Sequence, residues 1–353
     1  MRGDAGGDGG PHPTVATPWV GLDSRDDRPP FDAPLTVDGA LEFARNARPE
    51  ATVGNGISAA WELLATLACA DLGVARTIEP HLDAQSILRD ARSSGFRVPP
   101  VSSEVWGVFA AEGGTEPLQA SLSDSGWILH GTKPWCSLAD RLERALVTAT
   151  GTDGARRLFA VDLRDPGVRV EEGTWHARGL SEIPSGPVHF SAVPAEPVGA
   201  PGWYLERIGF AWGGIGVAAC WYGGAVGIAR SLFEALEAGE PTALQLAHLG
   251  AVDELIQGAR LSLLDAARIV DTGAAPTRDV ASVLAKRVRG TVASACEEVL
   301  LRCGHALGPA PLALDPVHSK RVADLQLYVR QHHAERDQAS LGSALLARGG
   351  APW

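Results

Sequence analysis

Between Pro99 and Pro201 the chain changes texture, and that change limits the available folds more than any other feature. "EVWGVFAAE", "GWILHGTKPWC", "RALVTAT", "RRLFAVDL", "GVRVEE" and "GPVHFSAV" are short apolar runs separated by Gly, Pro and Asp. They read as strands of about five residues with tight connections. Several alternate apolar with polar positions, as a half-buried antiparallel sheet requires. Helical sequence lies on both sides. From Leu35 to about Ser94, Trp61, Leu64, Ala65, Ala68, Leu72 and Ala75 recur at three- and four-residue spacing, with Pro80 expected to break the helix. Beyond Trp203, long helices are predicted at about 203–238, 243–272, 279–305 and 317–346, separated by "AGEPT", "TGAAPTR" and "GPAPLALDP". Four long helices with short breaks suggest an up-down bundle. The expected organisation is a disordered or leader segment over 1–33, a helical domain over 34–98, a β domain over 99–201 and a helical bundle over 202–347.

The 353 residues suffice for one large domain or a few smaller ones sharing a core. A net charge of −11 argues against an electrostatic grip on nucleic acid. No run resembles a membrane span of about 20 apolar residues. Cys69, Cys136, Cys220, Cys296 and Cys303 form no CxxC pair and are odd in number, which suits buried free thiols in a reducing cytoplasm.

The stretches "GVFAAEGG", "GWILHGTKPWCSLADRLERALVTA", "HARGLSEIPSGPVHFSAVPAEPVG", "WYLERIGFAWGGIGVAACWYGGAVGIARSLFEAL" and "RDVASVLAKRVRGTVASACEEVLLRCGHALG" resemble, in this order, the acyl-CoA dehydrogenase family. The resemblance implies an α+β fold with a short helical N-terminal domain, a central antiparallel β domain and a C-terminal four-helix bundle. It implies FAD at the domain junction and a homodimer or homotetramer. It places Trp135 against the flavin and the Ser137 hydroxyl near its reactive nitrogen, with Cys136 between them. A tryptophan at a strand end is otherwise a packing residue.

Departures from the family pattern cluster at the cofactor. Ala111 stands where the family has threonine before Glu112, and the Gly-Ser-Asp that follows is missing. No Arg-x-x-Phe-Gly occurs between Arg230 and Gln245, and Gly304 is the clear survivor of a Gln-x-x-Gly-Gly turn. Arg302 beside that turn is the candidate cofactor-binding cation to supply the lost charge, where a lone arginine more often answers the helix dipole.

Near the C-terminus, "RQHHAERD" puts His332 where the resemblance places the glutamate base of dehydrogenation. At helical spacing, Val322, Leu325, Val329 and His332 share one stripe, so His332 points wherever that stripe points. An imidazole there is either a base with an ordinary pKa of about 6.5 or a hydrogen-bonded core group. His333 and Asp337, four apart, are expected to pair on the helix surface. The His-His-x-x-x-Asp order of acyl-transfer enzymes ends in Gly on a loop. Here it runs into Gln338 in a helical region, which argues against that chemistry. His305 and His318 show no metal-ligand spacing with the pair, and no metal is expected. The second candidate base is Glu206, before Arg207, at a place some family members use. Such a glutamate requires desolvation. Trp212, Trp221 and Tyr222 are candidate walls of the substrate pocket.

Three functions follow from the resemblance. The first is an FAD-dependent oxidoreductase that oxidises the CH–CH group of a small acyl substrate, carried on coenzyme A or a carrier. The second is a flavin-dependent monooxygenase of the same fold. The third is a non-catalytic subunit that pairs with an active paralogue.

Overall fold

The computed structural model describes residues 12–23, 28–46, 56–100, 103–113, 117–275 and 277–353. Residues 1–11, part of the expected leader, lie outside these. Among its described residues, correcting the expectation of disorder, β1 (Thr14–Thr17) pairs antiparallel with β2 (Phe31–Pro34), and Val20 and Leu22 are buried. Helix α1 (Val37–Asn46) follows, then α2 (Ile57–Ala70) and α3 (Leu72–Ser93).

The break between α2 and α3 falls at Asp71 rather than Pro80. Asp71 adopts an extended conformation and accepts the Val74 N–H through its side chain (3.1 Å), a helix N-cap that starts α3. Pro80 lies within α3. The start of α2 is capped from far along the chain. Asp271 accepts the Ile57 N–H (2.7 Å) and the Ser58 hydroxyl (3.0 Å).

The strand region forms β3 (Trp106–Phe109), β4 (Gln119–Ser123), β5 (Gly126–Lys133), β6 (Arg144–Gly151), β7 (Arg156–Asp162), β8 (Val168–Val170) and β9 (Val188–Val198). Pairing runs β6–β4–β5–β9–β7 and returns to β6, so five strands close on themselves. Closure leaves fewer free edges to protect. Most pairings are antiparallel, as expected, while β3 and β4 both run parallel to β6. Alternation in sequence reports which face is buried, not strand direction, and strands that are not hairpin neighbours can pair either way.

The bundle comprises α4 (Trp203–Glu206), α5 (Gly209–Glu237), α6 (Ala243–Asp271), α7 (Arg278–Leu307), α8 (Ala310–Leu314), α9 (Pro316–Tyr328) and α10 (Glu335–Arg348). Thr242 and Gln245 form a reciprocal capping box that starts α6, and Thr277 caps α7. Against expectation, α5 is long and apolar enough to cross a membrane, but 78% of its apolar window is buried inside the protein. Its small residues allow close packing. A Cβ on Gly223 would lie 2.1 Å from the Ala65 carbonyl oxygen of α2. Gly179 plays the same part between barrel and bundle, since a Cβ there would lie 2.0 Å from the Ala323 oxygen of α9. One buried apolar cluster runs through the N-terminal helices, barrel and bundle.

The predicted single helix over 317–346 is two helices. It stops at Tyr328, passes through one 3-10 turn (Val329–Gln331), and resumes at Glu335 after His332 in extended geometry and Ala334 at φ 43°.

Candidate active site

Strand β5 ends in Lys133, which is buried and fully engaged. Its ammonium donates to Thr148 O (2.8 Å), Thr148 Oγ1 (2.7 Å) and Glu112 (3.2 Å). Burial pulls the Lys133 pKa down, with the Glu112 carboxylate opposing. Glu112 also pairs with Arg156, so its side chain braces the barrel rim. Ala111 beside it brings no hydroxyl.

After Lys133 the chain turns sharply. Trp135 sits at φ 60° and is 62% exposed, a large apolar side chain held outward from the rim. Cys136 is buried, and burial pushes its thiol far up, so it is an inert packing group. Backbone bonds from Cys136 N to Gly186 O (3.0 Å) and Leu138 N to Pro184 O (2.8 Å) fix the segment. The Ser137 hydroxyl lies inward. It accepts from Arg76 Nη2 (3.0 Å) and stands 2.7 Å from Ser185 Oγ, which donates onward to Ile183 O. Two shallow pockets of about 10 Å³ each flank this segment, one lined by Ala111, Glu112 and Pro134, the other by Arg76 and Ser137.

From Arg76 a continuous series of side chains crosses the junction into the bundle. The Arg76 guanidinium lies 5.7 Å from the Tyr328 ring and 3.5 Å from Glu79. Tyr328 meets Trp221 edge-on at 6.3 Å, and Trp221 meets His332 at 6.4 Å. Trp221 Nε1 is buried with no hydrogen-bond partner, and the buried Tyr328 hydroxyl lies against the Cys220 thiol. Glu79 is buried, and desolvation raises its pKa to about 7 against the opposing charge of Arg76. The His332 side chain is 8% exposed, with Nε2 3.8 Å from Asp337. Burial lowers its pKa, Asp337 opposes this, and Arg289 lowers it further. The imidazole is thus biased toward the neutral form, able to accept a proton.

The expected stripe is realised in part. Leu325 and Val329 are buried, and His332 follows them inward, although through a turn. His333 and Asp337 do approach (3.7 Å), but across the start of α10 rather than along a helix; Asp337 also accepts the His333 N–H. Trp221 and Tyr222 are buried and Trp212 partly so.

Other expected residues are not brought together. Glu206 is exposed, folded back toward Gly202, while Arg207 turns inward to Asp90 (2.9 Å) and Asp83 (3.6 Å). This corrects the reading of Glu206 as an enclosed base. Arg302 is held by Glu298 on its own helix (2.6 Å), so the dipole-end and ion-pair role describes it. Gly304 lies within α7, and the turn comes four residues later at Gly308 (φ 67°). Arg230 is engaged by Pro18 O, Trp19 O and Cys69.

Among the described residues, Asp71, Glu182 and Asp324 are close enough together to hold a metal ion, but Lys320 Nζ already lies 2.9, 2.7 and 2.7 Å from them. Sequence reading missed Arg76, Glu79, Arg289 and Tyr328. The available signal was faint: "VARTIEP" places charges inside an otherwise apolar helix.

The residues present fit one part of a flavin better than the other. An outward Trp135 and the Ser137 hydroxyl suit a flat, hydrogen-bonding ring. For a pyrophosphate, Arg302 and Arg230 are already taken and Ala111 offers no hydroxyl.

Comparison with known proteins agrees with this architecture. Residues 109–193 match the family model described as acyl-CoA dehydrogenase, middle domain. No curated protein matches in sequence. Among solved structures, dibenzothiophene monooxygenase TdsC from Paenibacillus sp. A11-2 is 17% identical, with 89% of each chain covered and a TM-score of 0.74. KijD3, solved with FMN and a dTDP-linked amino keto sugar, is 19% identical over 90% of this chain and 88% of its own, at 0.74. Butyryl-CoA dehydrogenase from Megasphaera elsdenii is 19% identical over 88% of both, at 0.72.

Proposed function

We propose that this chain, which carries the acyl-CoA dehydrogenase fold, is a flavin-dependent oxidoreductase that works at the barrel–bundle junction. The observation that carries the reading is the unbroken series from Ser137 through Arg76, Tyr328 and Trp221 to His332. It joins the rim suited to a flavin ring to a largely neutral imidazole. Bound there, a flavin supplies either a hydride acceptor or, when delivered reduced, a ring that activates oxygen. The protein's own contributions are to orient, exclude water and hold a proton. His332 is the proton acceptor, with the Asp337 carboxylate 3.8 Å from its Nε2. Trp135 and the Ser137 hydroxyl, now bonded by Arg76, would hold the ring.

Two reactions suit this site. In the first, a small acyl thioester is oxidised at its CH–CH bond, with His332 removing the α-proton in place of a glutamate. In the second, a monooxygenase uses an exchangeable flavin. That reading is favoured by the lack of a free cation for pyrophosphate at the places the resemblance indicates, and TdsC and KijD3 were both solved with FMN. Visible spectra of the purified chain titrated with FAD and FMN test the common premise, and a chain that binds neither contradicts it. Anaerobic bleaching by butyryl-CoA supports dehydrogenation. Substrate-dependent oxygen uptake with a flavin reductase supports the monooxygenase. In either case His332→Asn lowers turnover by about 10²-fold or more while flavin binding persists. Equal turnover would remove His332 from the chemistry.

We also infer a homo-oligomer. Leu244, Leu246, Leu314 and Leu346 are exposed apolar side chains on the bundle, which suits self-association. Light scattering at micromolar concentration is expected to give twice or four times the chain mass. A monomer at that concentration contradicts the inference and leaves the flavin reading untouched.

A further inference from the structure

His332 stands on a short irregular segment between two helices, a poor platform for a group that must be aimed. Its backbone N–H bonds to Val329 O (2.9 Å), and Ala334 two residues later has φ 43°. Besides the buried Val329 and the Arg330–Glu297 pair, one side chain from another element ties this segment to the bundle. Arg289 of α7 reaches between α5 and the segment, donating from Nη1 to Gly214 O (2.6 Å) and from Nη2 to Gln331 O (3.4 Å). The same guanidinium lies over the Trp221 ring, 4.7 Å from its centroid, and Trp221 is the aromatic wall of His332. The next residue, Gly290, faces the ring, where a Cβ would stand in ordinary contact 3.9 Å from His332 Nε2. One planar fork therefore grips two carbonyls and stacks on an indole, a combination a lysine cannot reproduce.

We propose that Arg289 is the positioning residue for His332, pinning the 329–334 turn to α5 and setting the imidazole against Trp221. This rests on the reading of His332 as proton acceptor only for its bearing on catalysis; the clamp itself is a property of the folded chain. The groups facing the imidazole are Asp337 from α10, His333 beside it, and Arg289 and Glu297 from α7, with Glu297 also paired to Arg330. Arg289 in turn is faced by Asp337, Tyr328 and Glu79. Its charge opposes protonation of His332, so the clamp and the proton-accepting form support each other.

Histidine C–H NMR titration of the full chain, without flavin or substrate, tests this, with His332→Asn assigning the resonance. Arg289→Met is expected to raise the His332 midpoint by about one pH unit, a tenfold gain in proton affinity. Arg289→Lys keeps the charge and loses the fork. Its midpoint is expected to stay near the parent value while the His332 and His333 amides exchange faster. An unchanged midpoint in folded Arg289→Met overturns the proposal. Should that variant fail to fold, unchanged amide protection in Arg289→Lys overturns it instead. Because the titration needs no cofactor, a chain that fails to bind flavin leaves this result standing. Conversely, a failed titration beside normal flavin turnover removes only the role given to Arg289.

Discussion

Glu79 and His81 stand two residues apart on α3, and burial drives their pKa values in opposite directions. Glu79 rises to about 7, and His81, which accepts the Trp106 N–H at Nδ1 (3.2 Å), falls to about 4. A raised folded pKa means that Glu79 contributes stability fully below its unfolded value of about 4.5 and loses it as pH rises through 7. A lowered one means that His81 contributes above about 6.5 and loses stability as pH falls through 4. The two slopes oppose each other between pH 4.5 and 6.5. Glu79→Gln removes the first slope, so thermal melts should show it stabilised more at pH 8 than at pH 5. An offset that is the same at both pH values would show that Glu79 does not titrate in this window. This pair was invisible in the sequence because a charged residue on a helix reads as a solvated one. Only the packing of α3 against α5 and β3 makes it otherwise.

At the level of elements, periodicity located most helices, while the ends and interruptions needed chemistry that periodicity does not carry. The α2–α3 break is set by an aspartate cap, which overrides the more conspicuous Pro80. The break before His332 has no strong breaker in "VRQHHAE", where neither Gly nor Pro occurs. A non-glycine residue at φ 43° is held there by its surroundings, at a cost of about 1–3 kcal/mol. Ala334→Gly should therefore raise stability by up to about 1 kcal/mol in denaturant melts, and Ala334→Val should lower it. If glycine destabilises, the turn is not strained. The closed barrel was only half legible. Its strands alternate visibly, but the return of β4 to the end of β6 is a long-range pairing that no local pattern records.

Across the whole molecule, the helical, β and helical order read from texture was borne out by the fold. What joins the three parts was not legible, because it depends on residues far apart in sequence. Lys320 of α9 gathers Asp71 from the N-terminal helices, Glu182 from the barrel loop and Asp324 from its own helix. Asp324 is buried and also accepts the Leu180 N–H (2.6 Å). Lys320→Met leaves three carboxylates facing one another. The expected loss is about 2–4 kcal/mol, less than for a buried pair because Lys320 is 37% exposed. A loss below about 0.5 kcal/mol in urea melts would show that the cluster is mere surface pairing. A comparable long-range tie joins Asp271 to the first turn of α2. During synthesis, residues 57 and 58 emerge more than two hundred positions before the carboxylate that completes them. The nascent N-terminal helices thus wait, their leading amides answered by water alone, until α6 has left the ribosome.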